Sequence, residues 1–217
     1  MKRALIFVNG ELNDGEMVQQ TLSVEPTPFV IAADGGARIA QRMDMRVDLL
    51  IGDMDSLMTD ELNEFAAAGV EIQRFPKEKD ETDLELALLA AVERGYDWIR
   101  LLGVVGGRLD QLLANMYLLA LPELEGRDVR IIDGWQEVRL VRAGTYTLEG
   151  SAGDTVSLIP FGGAARGIHT ENLYYPLNHE TLEFGPARGV SNVMETSAAS
   201  IRFEAGLLLL VHTIGRA

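Results

Sequence analysis

The chain has 217 residues, of which 47% are hydrophobic, enough to build the core of one large domain or two small ones, so a disordered chain is not expected. Its formal net charge of −14 argues against a broad nucleic-acid binder, because such proteins neutralise phosphates with Lys and Arg. Cysteine is absent, which excludes disulfides and thiolate metal sites and favours a cytoplasmic protein.

The apolar segments are too short to span a membrane. The first, at residues 4–8, stops at Asn9-Gly10 and falls short of the ~7 to 15 apolar residues of a secretion signal. The run at residues 207–211 is far below the ~18 residues that a spanning helix needs. We therefore expect a first strand at residues 4–8 and no membrane partner.

Residues 1–134 alternate short apolar runs with amphipathic helical patterns, which is typical of βαβ units. Helical i, i+3, i+4 spacing predicts one buried helix face in each of the segments 62–66, 84–91 and 109–116. The predicted strands lie at residues 4–8, 29–32, 49–51, 70–75, 99–105 and 129–132. The pattern predicts a mostly parallel, three-layer α/β domain over residues 1–134.

From about Trp135 the pattern changes to short alternating segments separated by glycine-rich turns, without a sustained helical period. Predicted strands lie at residues 146–148, 155–159, 181–184, 200–203 and 207–212. This pattern predicts an all-β sandwich domain over residues 135–217.

Two aspartates, Asp53 and Asp55, directly follow the predicted strand at residues 49–51. Carboxylate oxygens suit Mg²⁺, which typically takes one or two protein carboxylates while phosphate oxygens and waters complete its shell. The segment therefore predicts phosphate chemistry that depends on Mg²⁺.

Two further acidic loops follow strands, and each also has an ordinary structural explanation. Asp34 precedes Gly35-Gly36, where it could contact a sugar hydroxyl or an amine, or could simply form an Asx turn. In the loop after residue 75, Thr82 with Glu85 matches a helix capping box. The acids and lysines of that loop equally suit a magnesium-bound nucleotide, so both interpretations stay open.

A fourth loop, at residues 103–111, again runs from strand through glycines to helix. Gly106 and Gly107 can present backbone N–H groups to an anion, and Arg108 adds a forked donor for phosphate oxygens. Asp110 could bind metal or accept a proton. Because ligands of open α/β sheets bind at the carboxyl ends of the strands, these four loops predict one shared site.

These loops, in this order and approximate spacing, resemble the motifs of the thiamine pyrophosphokinase family. The matching segments are ADGGA at 33–37, GDMDS at 52–56, KDETD at 79–83, GGRLD at 106–110, NLYYPL at 172–177 and GVSN at 189–192. The resemblance implies an α/β catalytic domain, a thiamine-binding β-sandwich domain, and a homodimer with active sites where the domains of two subunits meet. It also implies transfer of the pyrophosphoryl group of ATP to the hydroxyl of thiamine, which gives thiamine diphosphate and AMP.

The resemblance also implies roles for individual residues. Asp53, Asp55 and Asp83 would hold Mg²⁺, Arg108 would steady the phosphates, and Asp110 would orient or deprotonate the hydroxyl. The substrate-binding residues would be Asp34, Lys79, Asp80, Thr82, Gln111, Tyr175, Ser191 and Asn192, with Tyr175 against a cationic heterocycle and Ser191 and Asn192 at the pyrimidine edge.

Two positions depart from the family pattern. Gln111 stands where many members have histidine, which leaves proton transfer at that position open, and Tyr175 conservatively replaces a tryptophan found in some. Without the resemblance, Tyr174 and Tyr175 would be expected to pack in a core, since most strand aromatics do. The histidines at positions 169, 179 and 212 receive no role.

Other functions compete with this interpretation. A phosphatase of the haloacid dehalogenase type would use Asp53 as its nucleophile, but that motif normally follows the first strand and here follows at least two. A non-catalytic binding protein that holds a cation would not explain Arg108 among glycines, or Tyr175 near Ser191 and Asn192. A pyrophosphokinase for another small alcohol, such as a pterin, is the most serious alternative, because few contacts set pocket specificity.

Overall fold

The computed structural model describes residues 1–216 and divides into two compact units, Met1–Gly134 and the residues from Trp135 onward. It is a mixed α/β protein with extensive sheet structure. Among the described residues, no helix combines the length and the apolar content that crossing a bilayer requires.

The first unit contains a parallel sheet with the strand order β6-β5-β1-β2-β3-β4. Its strands are β1 Arg3–Phe7, β2 Phe29–Ala33, β3 Leu49–Gly52, β4 Glu71–Arg74, β5 Trp98–Leu102 and β6 Asp128–Asp133. The central strands are apolar along their length and include the fully buried Leu5, Leu50 and Leu101, as expected of a parallel sheet that is covered on both faces. Their carboxyl ends therefore lie along one edge.

Five helices connect these strands. They are α1 Glu16–Leu22, α2 Gly36–Arg42, α3 Thr59–Ala67, α4 Asp83–Glu93 and α5 Leu109–Leu118, with a 3₁₀ turn at Pro122–Leu124. The spacing predicted α3, α4 and α5, whereas α1 and α2 have only seven residues each, too few to establish a helical period by themselves.

The predicted burial of α5 is wrong in part. Leu109 and Leu113, assigned to a buried face, are 77% and 61% exposed. The buried residues of this helix are instead Asn115 and Leu118. The sequence shows an apolar stripe, but periodicity alone does not show whether this chain covers it.

The second unit is all-β, and its strands pair antiparallel. Its strands are β7 Gln136–Glu149, β8 Thr155–Pro160, β9 Ala165–Glu171, β10 Asn178–Leu182, β11 Asn192–Val193 and β12 Ala198–Thr213. The long strand β12 pairs with β7 along its length, with β9 in its first part and with β8 in its second. The sandwich arrangement of this unit stays a prediction.

Strand β12 replaces the two separate strands predicted at residues 200–203 and 207–212. Its pairing with β7 shifts between Phe203 and Leu207, where Gly206 has a φ of +96°. A Cβ on Gly206 would lie 2.5 Å from the carbonyl oxygen of Ala164. The sequence predicts that a strand ends before Gly206, whereas the structure shows that this glycine lets the single strand β12 bend. Strand β9 is a separate difference, because the sequence pattern does not predict it.

Candidate active site

The carboxyl ends of β1, β2, β3 and β5 surround a cavity of about 490 Å³, which we call the acidic cavity. The loops after these strands meet there with the start of α4 and the inner side of α5. The predicted site residues that line it are Asp34, Asp55, Thr82, Asp83, Arg108 and Gln111. The predicted convergence of four loops on one edge is therefore observed.

Three carboxylates, those of Asp34, Asp53 and Asp83, form an acidic cluster. One oxygen from each lies within 4.8 Å of the others. Asp34 is buried, and its Oδ1 has no hydrogen-bond partner among residues 1–216. Because unneutralised carboxylates at this separation repel each other, the cluster needs positive charge.

Local backbone geometry brings these acids together. The backbone N–H of Asp34 donates to the carbonyl of Ile51 at 2.9 Å, which fixes the end of β2 beside the end of β3. Gly52, with a φ of +144°, lies so close that a Cβ there would be 3.0 Å from the Asp83 carboxylate. Glycine at position 52 is thus what allows β3 to end between the acids.

Lys79 supplies part of the required positive charge. Its Nζ lies 3.0 Å from Asp83 Oδ1 and 4.0 Å from Asp53 Oδ2, and its side chain is largely buried. Even so, the pKa of Asp83 is raised, chiefly by burial and further by the charges of Asp53 and Asp34, against the opposing effect of Lys79. One lysine leaves the cluster negative, and its carboxylate oxygens fit a hard divalent cation such as Mg²⁺.

Asp55, one of the three predicted metal ligands, does not join this cluster. Its Oδ2 lies 2.6 Å from Lys77 Nζ, and the hydrogen bond and charge of that lysine lower the pKa of Asp55. The structure thus groups Asp34, which was expected in the substrate shell, with Asp53 and Asp83. Asp55 lines the acidic cavity from a half-exposed position, and a metal role for it stays a prediction.

Arg108 and Asp110, the two predicted catalytic residues, bind each other. Arg108 Nη2 and Nε lie 2.6 and 3.1 Å from the two carboxylate oxygens of Asp110, and both side chains are exposed. The pKa of Asp110 is lowered, first by the Arg108 hydrogen bond and then by its own bond from the Gln111 backbone N–H. Asp110 is therefore a weak base for as long as Arg108 holds it.

The remaining predicted residues of the first unit differ in position. Thr82 caps α4, since its Oγ1 accepts from the backbone N–H of Glu85 at 3.2 Å. Gln111 lines the acidic cavity, whereas Asp80 is exposed outside its lining.

The sequence did not single out Asn9, Ser56 or Asn115, all of which line the acidic cavity. Asn9 Nδ2 donates to Ser56 Oγ at 3.2 Å. Asn9 lies two residues beyond the end of β1, so the carboxyl-end rule used for the other strands also applies to it. Asn115 is one helical turn beyond Gln111 on α5, which is the spacing that places two residues on one face.

In the second unit, a pocket of about 350 Å³ is lined by Gly153, Thr155, Tyr174, Tyr175, Ser191, Val193 and Arg216, and we call it the tyrosine pocket. Tyr174 and Tyr175 are 62% and 64% exposed, so the expectation from residue type alone that they pack in a core is wrong. Their rings meet edge to face with centroids 4.8 Å apart. This geometry presents aromatic surface to the solvent.

Asn192 supports the tyrosine pocket from behind. Its Oδ1 accepts from the backbone N–H of Tyr175 at 3.0 Å, and its Nδ2 donates to the carbonyl of Tyr175 at 2.8 Å. Its amide is thus occupied in fixing the backbone of Tyr175, whereas Ser191 lines the pocket directly. The predicted contact of Asn192 with a pyrimidine edge stays a prediction.

A buried carboxylate, Asp154, ties the surrounding segments together. It accepts hydrogen bonds from the backbone N–H groups of Ser151 and Gly215, each at 2.8 Å, and lies 2.9 Å from His212 Nε2. Burial raises the pKa of Asp154, but the bonds from Gly215, His212 and Ser151 outweigh it, so the pKa is lowered overall. His212, which received no role from the sequence, is thus part of the support of this pocket.

Comparisons with known proteins match both units. Residues 21–131 match the family model described as the catalytic domain of thiamin pyrophosphokinase, and residues 145–208 match that of its vitamin B1 binding domain. Thiamine pyrophosphokinase of Bacillus subtilis is 30% identical over 163 residues, which are 75% of this chain and 76% of the relative. A thiamine pyrophosphokinase of Oryza sativa is 24% identical and matches 77% of this chain and 66% of its own length.

Solved structures of thiamine pyrophosphokinases have a fold similar to that of this chain. The crystal structure of the Bacillus subtilis thiamine pyrophosphokinase has a TM-score of 0.87 at 26% identity and covers 98% of this chain and 99% of its own. That of the Geobacillus thermodenitrificans protein has a TM-score of 0.82 at 26% identity, with 98% and 97% covered. The chain belongs to the thiamine pyrophosphokinase family.

Proposed function

We propose that this chain transfers the pyrophosphoryl group of ATP to the hydroxyl of thiamine, with the acidic cavity as its catalytic centre. The thiamine diphosphokinase activity follows from family membership. The observation that supports this location of the chemistry is the acidic cluster, with its buried, unpartnered Asp34 oxygen. In the reaction the hydroxyl oxygen bonds to the β-phosphorus, the bond from that phosphorus to the α-phosphate oxygen breaks, and AMP leaves.

In this proposal Asp34, Asp53 and Asp83 hold Mg²⁺. When bound, the ion neutralises charge on the ATP phosphates, which is the main requirement of phosphoryl-group transfer besides positioning. Lys79, already at the cluster, keeps its acids compact. The cluster departs from the predicted ligand set by one residue, because it includes Asp34 where the sequence suggested Asp55.

In this proposal Arg108 acts first, by binding a phosphate, and Asp110 acts second, by accepting a proton. An arriving phosphate competes for the guanidinium of Arg108, which lines the cavity, and a bidentate phosphate contact replaces the bond to Asp110. Asp110, no longer held at a lowered pKa by Arg108, can then orient the thiamine hydroxyl and accept its proton. The ion pair thereby keeps the base inactive until the nucleotide is in place.

The tyrosine pocket binds thiamine. Its exposed aromatic faces suit the cationic thiazolium ring, since cations are attracted to aromatic faces. Ser191 offers a hydroxyl at its wall, and Asn192 holds Tyr175 in position. The net charge of −14 favours the approach of a cationic substrate over that of a nucleic acid.

The proposal includes a homodimer with active sites between subunits. Leu109 and Leu113 form an exposed apolar stripe with Tyr117 on α5, at intervals of four residues, and a second copy of the chain could cover it. The stripe belongs to the helix that carries Gln111 into the acidic cavity, so dimer formation would steady that wall.

The absence of cysteine agrees with a cytoplasmic enzyme.

The comparisons do not favour the other functions. Both units match thiamine pyrophosphokinase models, and neither a pterin substrate, a phosphatase nor a non-catalytic role has comparable support. The pterin alternative shares the chemistry of the acidic cavity, so it differs only in the alcohol.

The deciding experiment incubates the purified chain with Mg-ATP, with and without thiamine, and follows AMP and thiamine diphosphate by chromatography. Equimolar, thiamine-dependent appearance of both is the expected result. A pterin alcohol in place of thiamine is the matched control. Production of AMP with the pterin but not with thiamine would reassign the substrate, and release of inorganic phosphate alone would reject pyrophosphoryl transfer.

A further inference from the structure

Asn115 has the environment of a residue kept for a ligand. It is only 4% exposed, yet it lines the acidic cavity. Within residues 1–216 no hydrogen bond of its carboxamide is observed, yet its amide atoms are not among the fully buried polar atoms that lack a partner, so they reach the cavity. An amide that reaches a cavity and has no protein partner is available to bind a ligand group there.

A bound ligand group makes full use of this amide only if that group satisfies both of its ends. A carboxamide has two N–H donors and a carbonyl acceptor. A phosphate offers acceptors alone and would leave the carbonyl unpaired. An amino group next to a ring nitrogen offers one donor and one acceptor side by side, which is the pattern that Asn and Gln read in adenine.

The surroundings of Asn115 suit a flat heterocycle. The buried Leu84 and Val104 supply apolar walls to the same cavity. Gln111, one helical turn nearer the mouth, adds a second amide on the same wall.

The position of Asn115 along α5 suits contact with the base of a nucleotide better than contact with its phosphates. Asn115 is six residues beyond Leu109, where α5 begins, which corresponds to about 9 Å of helix. Arg108 and the glycines before it lie at that beginning, on the exposed side. A nucleotide with phosphates at Arg108 would extend its base inward, with the ribose spanning the interval.

We propose that Asn115 is a specificity-determining residue that binds the amino group and adjacent ring nitrogen of a substrate heterocycle. This role rests on the proposed function and identifies the edge of the substrate heterocycle that the acidic cavity recognises. Adenine and the aminopyrimidine of thiamine both carry such an edge. The position of Asn115 relative to Arg108 points to adenine, and the two sources are separated by the test.

The test is a thermodynamic cycle that removes the residue and the amino group in turn. Calorimetry measures binding of AMP, and of purine riboside 5′-monophosphate, which lacks the 6-amino group, to the full chain and to Asn115→Ala. The same pair of proteins is titrated with thiamine and with an analogue that lacks the 4′-amino group. Asn63→Ala, an exposed amide on α3, is the matched control.

We expect the unmodified chain to prefer AMP over the deaminated nucleotide about tenfold, and Asn115→Ala to reduce that preference below about twofold. Loss of the preference for thiamine over its deaminated analogue would also support the inference and would identify thiamine as the source. Unchanged preferences in both pairs would overturn it. Failure of the chain to form AMP from ATP and thiamine would instead count against the proposed function, since the binding cycle needs no turnover.

A second variant separates ligand binding from a structural role. In Asn115→Leu an amide that reaches the cavity is replaced by an apolar group of similar size, so the thermal midpoint should stay nearly the same while AMP affinity falls, because a residue that binds a ligand need not contribute to the stability of the fold. Asn115→Asp keeps the shape of the side chain and loses its donors, and should also weaken AMP binding. If all three variants unfold at lower temperature and the folded fractions keep full AMP preference, Asn115 is a structural residue and the inference is wrong.

Discussion

The two proposed binding regions are built in opposite ways. At the acidic cavity, groups of like charge are held together and a buried oxygen of Asp34 lacks a partner. At the tyrosine pocket, the supporting polar groups are already paired, as Asn192 and Asp154 illustrate. The carboxylates of the acidic cavity repel one another, and a bound cation would relieve this repulsion. The tyrosine pocket instead presents aromatic surface on a backbone whose supporting polar groups are already hydrogen-bonded. Substitutions of the charged groups in the first region should therefore mainly affect activity, and substitutions of the supporting polar groups in the second should mainly affect stability.

The largest effect is expected for Asp53→Asn. The fold should persist, because removing one of three repelling carboxylates relieves strain, whereas kcat/KM should fall at least about 100-fold, or about 2.7 kcal/mol of transition-state stabilisation. Steady-state kinetics and circular dichroism at saturating Mg²⁺ measure the two effects.

A comparison of Asp34→Asn with Asp55→Asn then tests which carboxylates belong to the metal site. Because Asp34 joins the acidic cluster and Asp55 pairs with Lys77, Asp34→Asn should have the larger effect on kcat/KM and on the Mg²⁺ concentration required. The reverse order would restore the ligand set that the sequence suggested.

For the second region, Asp154→Asn should mainly destabilise the fold. It weakens a buried set of hydrogen bonds from Gly215, Ser151 and His212, with an expected loss of about 2 kcal/mol in the free energy of unfolding at pH 7. Urea denaturation measures it. Asp44→Asn is the matched control, since Asp44 is exposed with a φ of +54° that asparagine tolerates.

The sign of the pH dependence follows from the lowered pKa of Asp154 in the folded state. Its contribution is fully present above the unfolded-state value, about 3.9 for aspartate, and is lost as the pH falls through the lower folded-state value. The stability difference between Asp154→Asn and the unmodified chain should therefore shrink below about pH 4. A difference that grows with acidity would contradict this assignment.

Tyr175→Ala should act on one substrate. Its ring is exposed and fixed through backbone bonds to Asn192, so its removal should raise KM for thiamine about tenfold, or about 1.4 kcal/mol, and leave KM for ATP nearly unchanged. Tyr175→Phe, which keeps the ring, is the control. Equal changes in both KM values would indicate loss of packing rather than of a thiamine contact.

The sequence predicted the acidic cavity better than its internal arrangement. Parallel strands with apolar interiors must end along one edge, so acids and glycines directly after such strands could be grouped without coordinates. Which oxygens approach each other depends on backbone turns such as that at Gly52, and sequence spacing does not encode these. Asp34, predicted in the substrate shell, therefore lies in the observed acidic cluster, and the sequence did not predict the position of Lys79 among these acids.

The second unit was predicted less well, for a different physical reason. Its strands depend on pairing between distant segments, so β9 lacked a local pattern, and the two halves of β12 looked separate because a glycine lies between them. The same limit explains α5, because an apolar stripe shows that something should cover it and not what covers it.

The smallest effect on the isolated chain, and the last prediction, concerns that stripe. Leu113→Ser replaces a side chain that is 61% exposed, so the free energy of unfolding of a single subunit should change by no more than about 0.5 kcal/mol. In a homodimer that covers α5, the same substitution should shift sedimentation velocity profiles toward the monomer and raise the concentration needed for full activity. Met58→Ser, at another exposed apolar position in the first unit, is the control. If Leu113→Ser leaves the dimer unchanged, the subunit interface does not include α5. The α5 wall of the acidic cavity would then be held in place by its own subunit alone.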